Sequence, residues 1–129
     1  MQFLERLKPC APAVVRLAIA LVFLWFGVSQ LLTPEDFMGY LPSFLLTTEY
    51  AQTLVVLNGI AEIILSALLA IGLFTRPAAA LLAVHLLAIV ISLGYNDIAV
   101  RDAGLLLITI SILIGGADTW TLDYRRTQR

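Results

Sequence analysis

Four apolar stretches of near-membrane length dominate this chain and leave it few ways to fold. A helix needs roughly 20 mostly apolar residues to cross the hydrocarbon core, and residues 12–32, 52–74 and 77–95 each supply such a run. The fourth is strongest over 103–117. That segment alone would reach only ~22 Å at ~1.5 Å per residue, so the span is expected to start near 98, and either Arg101 and Asp102 sit in the outer interface or the bilayer thins there. The 129 residues are 60% hydrophobic and 13% charged. A soluble domain of this size could not bury so much apolar surface. The expected fold is all-α: one membrane domain over 1–129, a transmembrane four-helix bundle running up-down-up-down.

Several function classes fall away at once. A soluble cytosolic enzyme is excluded by hydropathy. Eight Lys and Arg against nine Asp and Glu leave no basic excess for nucleic acid. Cys10 is the single cysteine, so an intrachain disulfide, a CxxC pair and a Cys-rich metal site are excluded by counting. The first apolar run is followed by SQLLTPEDF rather than a small-x-small site, so it reads as a retained first helix, not a cleaved leader.

Positive charge sets the orientation. With the N-terminus in the cytoplasm, Arg6, Lys8, Arg16, Arg76, Arg125, Arg126 and Arg129 lie inside and Arg101 alone lies outside. Both termini are then cytoplasmic. Thr75-Arg76-Pro77 reads as a tight inner connection that makes the second and third spans antiparallel neighbours. The outer connection, 33–51, carries Phe37, Met38, Tyr40, Leu41, Phe44, Leu45 and Leu46. It is too apolar for a solvated loop and reads as an interfacial element or a cover over the bundle mouth.

Polar residues inside the spans are the candidates for function. Asn58, Glu62 and Ser66 recur at i, i+4 and i+8, on one helix face that must turn inward. An ionisable group at that depth costs several kcal/mol unless it finds a partner. His85, the only histidine, lies as far from Tyr95 as Glu62 lies from Gln52. Both then sit ~15 Å below the outer boundary at ~1.5 Å per residue. His85, Ala88 and Ser92 share a stripe. Two readings stay open: neutral interhelical glue, or a ligand or proton site built on a Glu62–His85 pair. Two such ligands are too few for a metal.

Secondary candidates lie at the helix ends. Arg16 reads as snorkelling to inner headgroups or as an inward-facing partner for a carboxylate. Gln30 is a candidate donor at the bundle mouth. Asp97, Arg101 and Asp102 form a small charged cluster, with Asp102 suited to a helix start. Asp102, Thr109 and Gly116 recur every seven residues and read as a buried stripe. No nucleophile constellation, phosphate loop or cofactor motif is present, so no catalytic residue is assigned.

RLAIALVFLWFGVSQLLTP, GIAEIILSALLAIGLFTRPAA and DAGLLLITISILIGGADTWTLD together resemble the DoxX-like family of small membrane proteins, over nearly the whole chain. The resemblance implies a four-helix bundle in a bacterial or archaeal cytoplasmic membrane and a link to redox or sulfur metabolism, since the related DoxD is a subunit of a thiosulfate:quinone oxidoreductase. Expected roles are a non-catalytic subunit or partner in a quinone- or sulfur-linked complex, a binding or transport bundle for a small amphipathic molecule or lipid, or an assembly factor. Besides the bilayer, the expected partners are a quinone or lipid, a partner protein or a second copy. One departure stands out. The family's first helix often ends Gly-x-x-Lys, and here it reads Gly27-Val28-Ser29-Gln30, which removes the positive charge an anion site would need.

Overall fold

The computed structural model describes residues 1–128; Arg129, counted above among the inner positive charges, lies outside the described residues. Four long helices carry the fold: α1 (Ala11–Leu32), α2 (Ala51–Ile71), α3 (Thr75–Leu93) and α4 (Asp97–Gly115). All four are long and apolar enough to cross a membrane. Short helices flank them, Gln2–Leu7 before α1 and Leu122–Thr127 after α4. The turn around Pro9, Lys8–Cys10, separates the leading helix from α1. No strand occurs among the described residues.

The helices run up-down-up-down, so both chain termini and the α2–α3 turn share one end of the bundle, and the other two connections share the opposite end. These are called the termini end and the loop end. α1 packs most closely on α2, and α3 on α4. The chain is two helical hairpins laid together, joined at the termini end by three residues. Exposed apolar side chains such as Leu21, Val84, Ile91, Leu107 and Ile114 cover the outside, as lipid contact requires.

Backbone chemistry places the helix ends. α2 stops at Gly72, whose φ of 70° closes a Schellman turn. Gly72 N–H donates to Leu69 O and Leu73 N–H to Leu68 O. The connection is therefore Gly72–Phe74, and Thr75-Arg76-Pro77 forms the first turn of α3 rather than the link. The sequence reading placed the turn too late because it weighted the proline over the glycine. α4 begins at Asn96, whose Oδ1 accepts from Ala99 N–H at 2.8 Å. That cap places Asp102 inside the helix rather than at its start.

The α1–α2 contact depends on two glycines. A Cβ on Gly27 would come within 2.7 Å of Gly59 O, and one on Gly59 within 2.8 Å of Gly27 O. Backbone thus touches backbone where the two helices cross. A core of Ile19, Phe23, Leu69, Leu82, Leu86 and Ile112 fills the space between the hairpins. Nearer the loop end this packing gives way to a cavity.

Candidate functional site

The glycine crossing brings Gln30, one turn further along α1, against the polar face of α2. Gln30 Nε2 donates to Glu62 Oε2 at 2.9 Å. Asn58 Nδ2 donates to Glu62 Oε1 at 2.9 Å and to Gln30 Oε1 at 2.8 Å. His85 Nε2, from α3, lies 2.7 Å from Glu62 Oε1. One carboxyl therefore gathers three neighbours from three helices and ties the two hairpins together. Glu62 is 4% exposed and Gln30 5%; the imidazole of His85 keeps 24% of its surface. Phe23 packs beside it, its ring centroid 6.5 Å away.

Above this tetrad lies a cavity of about 290 Å³, with walls from all four helices. Gln30, Asn58, Glu62 and His85 border it on one side, and Asp102 and Leu105 on α4. The 33–51 connection closes the top. Its 3-10 segment Pro34–Tyr40 and the short helix Ser43–Leu46 place Phe37, Tyr40, Leu41 and Leu45 on the cavity. Phe37 packs edge-on against Phe26 at 6.1 Å and stacks on Tyr40 at 5.9 Å. Arg101 sits 5.5 Å over the Phe26 ring. Arg101 also holds Asp102, with Nε 2.9 Å and a terminal nitrogen 2.8 Å from Oδ1. Ala88 and Ser92 border the cavity and are exposed, marking its open side on α3.

Not every residue singled out in the sequence belongs here. Ser66 is buried on the same face of α2, but its hydroxyl donates to Ile63 O of its own helix and does not border the cavity. Asp102 and Thr109 are buried, as a seven-residue stripe requires. Gly116, their continuation, lies past the end of α4 with φ 72°, close against Arg76.

Arg16 departs furthest from its first reading. It is 2% exposed and does not snorkel. Its Nε donates to Asp118 Oδ2 at 2.8 Å, and a terminal nitrogen donates to the carbonyls of Leu69 and Ala70. It therefore joins the end of α2 to the chain after α4 and makes no bond to Glu62. Sequence reasoning gave Asp118 no role because it lies beyond the fourth apolar run; the signal was an Asp one residue past the Gly115-Gly116 pair. Asp123 was passed over too. Its carboxylate accepts from Phe74 N–H at 3.1 Å, Thr75 N–H at 2.7 Å and the Thr75 hydroxyl at 2.9 Å. Burial alone would raise the Asp123 carboxyl, but these donors and the nearby Arg126 outweigh it and hold the group below its ordinary value.

Chemically, the loop-end site combines an apolar chamber, one buried carboxyl, an imidazole and two amides. It can hold a polar head by hydrogen bonds and pass a proton between Glu62 and His85. No group of three or more His, Cys, Asp or Glu able to hold a metal occurs among the described residues. Residues 11–94 match the family model described as DoxX, which spans α1 to α3 and every member of the tetrad. Neither the curated proteins nor the solved structures compared include a match.

Proposed function

The chain belongs to the DoxX family, and from that premise we propose that this multi-pass membrane protein binds the head of a small amphipathic molecule of the quinone class, as a non-catalytic membrane subunit of a redox complex. The observation that carries the reading is the chamber of about 290 Å³ set directly on the Gln30–Asn58–Glu62–His85 tetrad. A volume at the lower end of ligand pockets suits one substituted ring, while a chain would leave past Ala88 and Ser92 into lipid. With both termini cytoplasmic, following the positive charges, the chamber lies in the outer half of the membrane. Pure interhelical glue accounts less well for the site, because glue has no need of a chamber above it.

The test is native mass spectrometry of gently extracted protein, followed by titration with a decyl-chain benzoquinol and benzoquinone. A bound isoprenoid quinone or quinol is expected. Glu62→Gln is expected to stay folded within about 1 kcal/mol and to weaken binding roughly tenfold or more, because a carboxamide has one acceptor oxygen where Gln30, Asn58 and His85 meet two. Retention of phospholipid alone, with no binding of either probe, would refute the reading.

A further inference from the structure

The unengaged polar atoms around the chamber are mostly acceptors. Asp102 is 4% exposed. Both of its contacts with Arg101 fall on Oδ1, and Oδ2 has no hydrogen-bond partner among the described residues. No buried side-chain oxygen or nitrogen among them is both fully enclosed and unpartnered, so Oδ2 keeps its small accessible surface, and Asp102 borders the chamber. Across the chamber, Asn58 uses both N–H groups of its amide on Gln30 Oε1 and Glu62 Oε1, which leaves Oδ1 as an acceptor. Glu62 already receives amide donors on both oxygens. In the neutral ring whose one proton sits on Nε2 towards Glu62, Nδ1 of His85 is a third acceptor. Against these stands one unengaged N–H on Gln30. The hydroxyls of Tyr40 and Ser92, also at the chamber, serve either way.

We propose that this chamber selects a ligand that donates hydrogen bonds from opposite edges of a ring, so that it binds the dihydroxy, reduced form of a quinone-class molecule in preference to the dicarbonyl, oxidised form, with Asp102 Oδ2 taking one hydroxyl. The inference rests on the function proposed above and adds to it a redox state and a residue. A carbonyl placed against Asp102 Oδ2 would set two acceptors face to face in an apolar chamber, leaving both unpaired. A hydroxyl supplies the missing proton. A cationic head is the wrong complement, because Arg101 already balances Asp102 and a further charge would stand uncompensated at membrane depth. Two contacts from Arg101, itself stacked on Phe26, hold the carboxylate by Oδ1, so its free oxygen is presented without reorganisation.

The experiment compares the decyl-chain benzoquinol and benzoquinone by anaerobic calorimetry on the full chain in nanodiscs. The unsubstituted protein is expected to bind the quinol at least tenfold more tightly. Asp102→Asn, which places an amide N–H where only an acceptor stood, is expected to reduce that preference several-fold, mainly by strengthening quinone binding. Should that variant fail to fold, Arg101→Leu with Asp102→Leu removes the pair as a unit and is expected to lose the preference as well. Equal affinity for the two forms, or tighter quinone binding, overturns the inference while leaving the proposed function standing. A preference unchanged in a folded Asp102 variant overturns the role given to Asp102. Binding of neither form overturns both readings.

Discussion

At the termini end of the bundle, Arg16 reaches a carboxylate and two helix-end carbonyls beside an open pocket that Asp118 also borders, whereas at the loop end Glu62 gathers three side-chain partners at the edge of the chamber. Both clusters hold an ionisable group at about 2–4% exposure, so burial does not distinguish them. The partners do. Arg16 is held by backbone that cannot move without unwinding α2, and by an Asp on the segment after α4. The termini-end network is a fastener: Arg16 ties α1 to the end of α2, and Asp123 ties the closing helix to the start of α3. The loop-end partners are all side chains, and several of their polar atoms remain free. A group surrounded by side chains with unengaged atoms can exchange partners with a ligand; one surrounded by backbone cannot.

The largest effect is expected from breaking the fastener. Arg16→Leu leaves Asp118 as an unpaired buried charge and the Ala70 carbonyl without its donor, while Leu69 O keeps only Gly72 N–H. Thermal unfolding in detergent is expected to show a loss of roughly 3–5 kcal/mol. Combining Arg16→Met with Asp118→Leu removes the pair together and is expected to cost clearly less. If Arg16→Leu melts like the unsubstituted protein, the contrast between the two ends fails.

A smaller effect, felt at both fold and site, is expected at the helix crossing. Gly59→Ala forces a methyl towards Gly27 O, 2.8 Å from where its Cβ would stand, and towards Leu31 Cδ1 at 2.6 Å. A cost of about 1–3 kcal/mol is expected. As α1 moves off α2, Gln30 should also lose its reach to Glu62, so ligand binding should weaken along with melting temperature. Loss of stability with binding intact would show that the crossing does not set the tetrad.

The smallest effect concerns Asp123. Asp123→Ala removes the cap on Phe74 and Thr75 and is expected to cost about 1 kcal/mol, with no change at the chamber. The pH dependence sharpens this. Because the folded-state value lies below the ordinary 3.8, the stabilisation is fully present above that value and is lost as pH falls through the lower folded one. The melting-temperature gap between the unsubstituted protein and Asp123→Asn should be constant near neutrality and shrink only in acid. A gap that widens in acid would contradict the assignment.

Four runs of apolar residues were enough to determine an all-helical membrane bundle and its alternating direction, because hydrocarbon leaves the backbone no other way to satisfy its own hydrogen bonds. The same constraint exposed Asn58, Glu62 and His85, since a polar side chain at mid-span is costly enough to stand out from its neighbours, and equal depth on antiparallel helices is simple arithmetic. Partner choice was beyond the sequence. Whether Arg16 meets lipid, Glu62 or Asp118 depends on which way α1 is turned and on where the chain after α4 returns. Both are set by contacts between residues far apart in the chain. Gln30 joins Glu62 only because Gly27 and Gly59 let two backbones touch, and Asp102 faces the chamber only because Asn96 starts α4 where it does. Depth follows from counting along one helix; rotation and partnership follow from packing one helix on another, and only the tertiary structure decides them.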